Sequence, residues 1–170
     1  MTAIEDLPKT KSYKNSDYLI RKGMAYEGLG NIIEAKNSLV QATKEDPNNF
    51  TTHLRLGSLL YRQDKLEEGI NCLRKACELS PSNFEVRIKL AEALLMGGEE
   101  CLDEALTHLK YVYDLDQNEY DALIGLSQVY DKRGDAQLAI EYAEAASKLP
   151  EAPATCLYFL VKNYHLFTFS

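Results

Sequence analysis

Apolar residues recur along this chain at two nested spacings. Within short stretches they return every three or four residues, as at Leu54, Leu56, Leu59 and Leu60. That spacing gathers side chains on one face of an α-helix. Polar breaks separate the stretches: Gly30-Asn31, Gln63-Asp64-Lys65, Gly97-Gly98-Glu99-Glu100 and Gly134-Asp135. Gly and Asp suit tight turns, so each break reads as the bend of a helical hairpin. A second kind of break is Asp46-Pro47-Asn48-Asn49, matched by Ser80-Pro81-Ser82-Asn83. Proline cannot continue a helix, and Asn or Ser can cap the next one. Ser82 and Glu85 have the spacing of a capping box around Phe84. The pattern predicts an all-α chain of paired helices.

The second spacing is longer. Gly23, Gly57 and Ala91 are 34 residues apart, and Ser127 follows 36 later. Ala35, Gly69, Ala105 and Ala139 keep the same steps, as do Leu39, Leu73, Leu109 and Ala143. Ala42, Ala76, Val112 and Ala146 form another column, and Pro47 and Pro81 are again 34 apart. Columns in one register mean internal repeats, with expected bounds 16–49, 50–83, 84–119 and 120–153. A polar segment, 1–15, precedes them and an apolar helix, 154–170, follows. The small residues have a mechanical reason: where two helices cross closely, one side must be nearly bare. Gly23 is expected to face Ala35 and Ala42, and Gly57 to face Gly69 and Ala76. The larger Tyr26, Leu60, Leu94 and Tyr130 would fill the space between neighbouring repeats. One helix pair cannot bury its own apolar face, whereas a stack of four makes a continuous core.

At these residues the sequence resembles the tetratricopeptide repeat (TPR) family. The first repeat carries the likeness best, in Leu19, Gly23, Tyr26, Ala35, Leu39, Ala42 and Pro47. The resemblance covers Ser16 to Pro153. It implies a right-handed α-solenoid of about four helix-turn-helix repeats plus a terminal helix. The third repeat departs from the pattern, with two extra residues around Gly98 to Cys101 and Gln117 where the closing Pro would stand. No Trp is present.

The resemblance also implies a ligand surface, the concave face lined by the first helix of each repeat. Carried over residue by residue, it holds Ile20, Met24 and Glu27, then Leu54, Ser58 and Tyr61. Ile88, Glu92 and Leu95 follow, then Ile124, Gln128 and Asp131. Arg55, Arg62 and Lys89 lie beside its middle, which is therefore apolar and basic within an acidic chain. Partner contacts are expected from Met24, Leu54, Arg55, Tyr61, Arg62, Ile88, Lys89, Leu95, Ile124 and Gln128. The alternative is that Ile20, Leu54, Ile88 and Ile124 simply pack against neighbouring repeats. Some relatives clamp the C-terminal carboxylate of heat-shock chaperones with Lys, Asn and Arg. Here the matching places hold Ile20, Met24, Arg55, Glu85 and Ile88, so that clamp is absent.

Composition narrows the partners. The net charge of −7 disfavours nucleic acid and anionic membranes, whose phosphates need a basic surface. It also disfavours a related RNA-binding repeat family of slightly longer period. No run approaches the roughly 18 apolar residues of a membrane span. Cys72, Cys77, Cys101 and Cys156 form no Cys-x-x-Cys pair and stand near no His that would suggest zinc. They read as free thiols of a reducing, intracellular compartment, the cytoplasm, with the nucleus or a cilium as alternatives. His53, His108 and His165 lie far apart, and no nucleophile elbow or phosphate loop occurs. No metal, cofactor or catalytic set is expected.

Beyond Pro153 the chain is apolar on most sides, with Leu157, Phe159, Leu160, Tyr164 and Phe167 expected to form a contact surface. A partner or a second copy would cover it. The sequence thus points to a non-catalytic scaffold or adaptor that holds a peptide segment of another protein. The alternative is a structural subunit of a larger or self-associated assembly, with no exchangeable ligand.

Overall fold

The computed structural model describes residues 15–150, together with 152, 153 and 161. Among them are eight α-helices and no strand. They fall into two compact units, divided after Ser82. The first unit holds α1 (Asn15–Gly28), α2 (Ile32–Glu45), α3 (Phe50–Tyr61) and α4 (Leu66–Leu79). The second holds α5 (Phe84–Leu95), α6 (Leu102–Leu115), α7 (Tyr120–Lys132) and α8 (Ala136–Ser147). The two extra residues of the third repeat are absorbed by a 3₁₀ turn, Glu99–Cys101, just before α6.

Local chemistry sets where the helices start. The side chain of Asn31 accepts from Glu34 N at 3.3 Å, Asn49 from Thr51 N at 3.0 Å, and Asp135 from Leu138 N at 3.2 Å. Each satisfies an amide that has no partner inside its own helix. The sequence reading placed the cap of α5 at Ser82. The structure places it one residue later: Asn83 accepts from Val86 N at 3.1 Å. An amide oxygen on a short, planar side chain reaches the third amide of the helix, and Ser82 stands one residue too early to serve. Three of the four hairpin bends use a left-handed residue, Gly30, Asp64 and Gly134, with φ of 73°, 59° and 77°. A side chain is strained there, least so for residues such as Asp that bond to nearby backbone.

Small residues let the paired helices close up. A Cβ on Gly57 would meet Leu73 Cγ at 2.7 Å and the Gly69 carbonyl oxygen at 2.9 Å. A Cβ on Gly23 would meet Leu39 Cγ at 2.9 Å and the Ala35 carbonyl oxygen at 3.3 Å. Ala42 and Ala76 are not among the nearest neighbours of these glycines. Their own repeats use them one turn further along, where both are fully buried. Ser127 occupies the same column in α7, is buried, and donates to the Ala139 carbonyl at 2.8 Å.

In the first unit, Ala35, Leu39, Leu56, Leu59 and Leu60 form one core cluster, with Tyr26, Ile32, Val40 and Cys72 packed on it. It draws on all four helices. In the second unit, Ile88, Val112 and Ala122 pack with Phe84. A further cluster of Leu123, Ile124 and Ala146 is ringed by aromatics. There Tyr130 stacks on Tyr142 with centroids 5.6 Å apart, and Tyr113 meets Tyr142 edge-on at the same distance. Burying each Leu or Ile contributes about 1.5–3 kcal/mol, so these clusters set the spacing of the helices.

Candidate functional site

The first helices of the repeats are α1, α3, α5 and α7. Several of the apolar residues expected along them lie in the core. Leu54, Ile88, Leu95 and Ile124 are all buried, as is Ile20. Ile88 joins Val112 and Ala122, and Ile124 joins Leu123 and Ala146. These side chains are core and offer a ligand no surface. The physical reason is that a first helix in a stack has neighbours on two sides. A stripe at i, i+4, i+7 can therefore be buried as fully as the one facing its own hairpin partner.

Met24, Arg55, Tyr61, Arg62, Lys89 and Gln128 are the expected contacts that keep accessible surface. In the first unit, Met24 is 42 % exposed on α1. One turn further, Glu27 forms an ion pair with Arg62, the residue that follows α3. This pair ties the ends of α1 and α3 to one face, with Tyr61 beside it. In the second unit, Lys89 bonds both oxygens of Glu92, at 2.9 and 2.8 Å, within α5. So the basic character expected of the groove is largely met by carboxylates one turn or one helix away. Exposed pairs of this kind contribute about 0.2–1 kcal/mol each.

No group of three or more His, Cys, Asp or Glu side chains placed to hold a metal occurs among the described residues. Cys72, Cys77 and Cys101 are free thiols. Burial pushes the Cys72 thiol up from its ordinary value, Glu68 adds to this, and Lys36 opposes it. No helix among the described residues is long and apolar enough to cross a membrane. The C-terminal contact surface, Leu157, Phe159, Leu160, Tyr164 and Phe167, lies outside the described residues, as does Cys156.

Sequence reasoning missed one surface. Leu29 and Ile33, at the α1–α2 bend, are 68 % and 74 % exposed. The register gave a signal for it. In the other repeats the place of Ile33 is taken by Glu67, Asp103 and Gln137.

Paired helices with small residues at their crossings define a helical-repeat protein, an α-solenoid. Comparison with known proteins names the repeat. Residues 33–154 match the sequence model of the cytochrome c-type biogenesis protein H TPR domain, and residues 16–49 that of the tetratricopeptide repeat. The chain belongs to the tetratricopeptide-repeat family.

Among curated proteins it is similar to mouse interferon-induced protein with tetratricopeptide repeats 3. The two are 30 % identical over 110 residues, covering 63 % of this chain and 27 % of the relative. It is also similar to cattle BBSome complex member BBS4, 26 % identical over 132 residues, 77 % of this chain and 25 % of that one. The chain thus spans about a quarter of the length of these relatives. Among solved structures, MamA superposes with a TM-score of 0.77 at 22 % identity, covering 91 % of this chain and 84 % of that one. YrrB, described as a TPR protein with an unusual peptide-binding site, gives 0.75 at 16 % identity, covering 98 % and 84 %. At these identities the two structures speak to the fold.

Proposed function

We propose that this chain is a non-catalytic scaffold that holds a peptide segment of a partner protein along its first helices. Its working units on this reading are the four repeats at 16–49, 50–83, 84–119 and 120–153. The observation that carries it is the α1–α3 face of the first unit. There Met24 is exposed beside the Glu27–Arg62 pair, with Tyr61 adjacent. An apolar side chain next to a guanidinium and a phenol suits a short segment with one apolar anchor and polar flanks. Lys89 and Gln128 offer similar polar contacts on the second unit. YrrB, a neighbour in fold, is described by its peptide-binding site, which supports a peptide as the class of ligand. The free thiols fit a reducing compartment such as the cytoplasm.

A second reading has its own observation. Leu29 and Ile33 form an exposed apolar bend that a soluble monomer has no use for, and a subunit of a larger assembly would cover it. BBS4 is named as a member of a complex, which agrees with that reading.

The experiment is peptide selection by display against the full chain, followed by NMR mapping of the selected peptide. Met24, Tyr61 and Arg62 are expected to shift. Met24→Glu is expected to weaken binding by about tenfold or more, roughly 1.4 kcal/mol, while Ile33→Glu leaves it unchanged. Shifts confined to Leu29 and Ile33, with Met24→Glu silent, would move the function to the assembly reading.

A further inference from the structure

The second helices of the repeats also carry a surface, and α6 has one unlike the others. Asp103, Thr107, Lys110 and Asp114 keep the outer face of α6 polar and exposed along its length. Tyr111 and Leu115, one turn apart, break that pattern at 36 % and 62 % exposure. The corresponding places hold Gln41 and Glu45 in α2, Lys75 and Leu79 in α4, and Ala145 and Leu149 at the end of α8; Leu79 and Leu149 are half-buried, whereas Leu115 is exposed beside an aromatic ring.

Tyr111 is held in place. The Arg87 guanidinium lies over its ring, 3.6 Å from the centroid. Arg87 Nη1 is 3.0 Å from His108 Nδ1. Guanidinium nitrogens carry only donors, so Nδ1 accepts and the His108 proton sits on Nε2. Nε2 in turn lies 4.0 Å from Glu104 Oε1. Ring and guanidinium are therefore ordered before a partner arrives, which removes part of the entropy cost of binding. Tyr and Arg in such settings are the residues that most often dominate interface energetics.

Charge selects the partner. From Leu102 to Asp121 the chain carries Asp103, Glu104, Asp114, Asp116, Glu119 and Asp121 against Lys110, and Arg87 of α5 adds a second cation over Tyr111, which leaves the face acidic and most so around Leu115. Asp103 is engaged by Arg133. Asp114 and Asp116 are exposed on either side of Leu115. This rim repels phosphate-bearing surfaces and attracts lysine and arginine. We propose that the Tyr111–Leu115 face of α6 docks an amphipathic helical segment of a partner protein. The segment's apolar residues rest on Tyr111 and Leu115, and its basic residues face Asp114 and Asp116. This surface shares no residue with the Met24–Arg62 face of the first unit.

The test uses the full chain and two synthetic helical peptides with the same Leu pair at i and i+4. One is flanked by lysines, the other by glutamates. Fluorescence anisotropy is expected to show the lysine peptide binding at least about tenfold tighter, with the preference reduced by salt. NMR shifts should centre on Tyr111 and Leu115. Leu115→Ser should weaken binding severalfold, and Asp114→Asn with Asp116→Asn should erase the preference. Asp114 and Leu115 are exposed, and Asp116→Asn keeps an oxygen to accept from Asn118 N as Asp116 does at 2.9 Å, so melting curves should match the parent chain. Equal affinity for both peptides, no binding of either, or shifts away from α6 would overturn the proposal. So would a dimer in sedimentation that Leu115→Ser abolishes, since a second copy would then be the occupant.

Discussion

Thr52 shows what a single side chain can cost inside this fold. It sits in the first turn of α3, fully buried, and its hydroxyl has no hydrogen-bond partner. The same column of the repeat holds Val86 and Ala122, both fully buried and apolar. A buried hydroxyl left unpaired loses its water without compensation, at about 1–3 kcal/mol. Thr52→Val keeps the shape and removes that penalty. The expected outcome is stabilisation by about 1 kcal/mol, read as a higher midpoint in urea with an unchanged slope. An unchanged or lower midpoint would mean that the hydroxyl finds a partner in solution. Residue identity was legible in the sequence here, but its burden was not. A Thr among helix-forming residues looks ordinary until its burial and the absence of an acceptor are both known.

Among the helices, the repeat columns carried most of the fold. The 34-residue spacing located the hairpins because each column has a physical job. Gly57 and Gly69 make a crossing so close that a Cβ on either meets backbone of the other helix at 2.9–3.0 Å. Gly57→Leu should therefore destabilise by about 1–3 kcal/mol, with loss of helical signal at lower temperature in circular dichroism. A neutral outcome would mean that α3 and α4 do not cross at Gly57. The candidate site was less legible. Periodicity says which residues share a face, but not whether that face meets solvent or a neighbouring hairpin. Leu54, Ile88, Leu95 and Ile124 have groove spacing and core burial together. The polar residues around them fared differently. Arg62 and Lys89 lie at the surface, yet their charges are met by Glu27 and Glu92. A sequence shows such partners only when the helix register is known to within one turn.

For the molecule as a whole, the lever is alkaline pH. The chain already carries −7 at neutral pH and contains 11 tyrosines and four cysteines that gain negative charge as pH rises. Two of these groups resist ionisation in the folded state. Burial pushes the Cys72 thiol above its ordinary value of 9.0, aided by Glu68. Burial pushes the Tyr142 phenol above 10.0, aided by its neighbours Tyr130 and Tyr113. Between the unfolded and folded values of each group, the folded chain binds more protons than the unfolded one. Stability therefore falls with rising pH in that interval. The contribution is whole below pH 9, starts to be lost there through Cys72, and is lost further above pH 10 through Tyr142. General self-repulsion acts over the same range, and salt separates the two causes. Added salt screens repulsion between exposed charges but acts weakly on groups shifted by burial. The midpoint temperature is expected to be level from pH 7 to about 9 and to fall beyond, with salt recovering part of the loss. Cys72→Ser with Tyr142→Phe should flatten the salt-insensitive remainder, at some general cost from the lost packing. A profile that salt restores fully in the parent chain would mean that neither group is shielded, and that net charge alone governs how this scaffold comes apart.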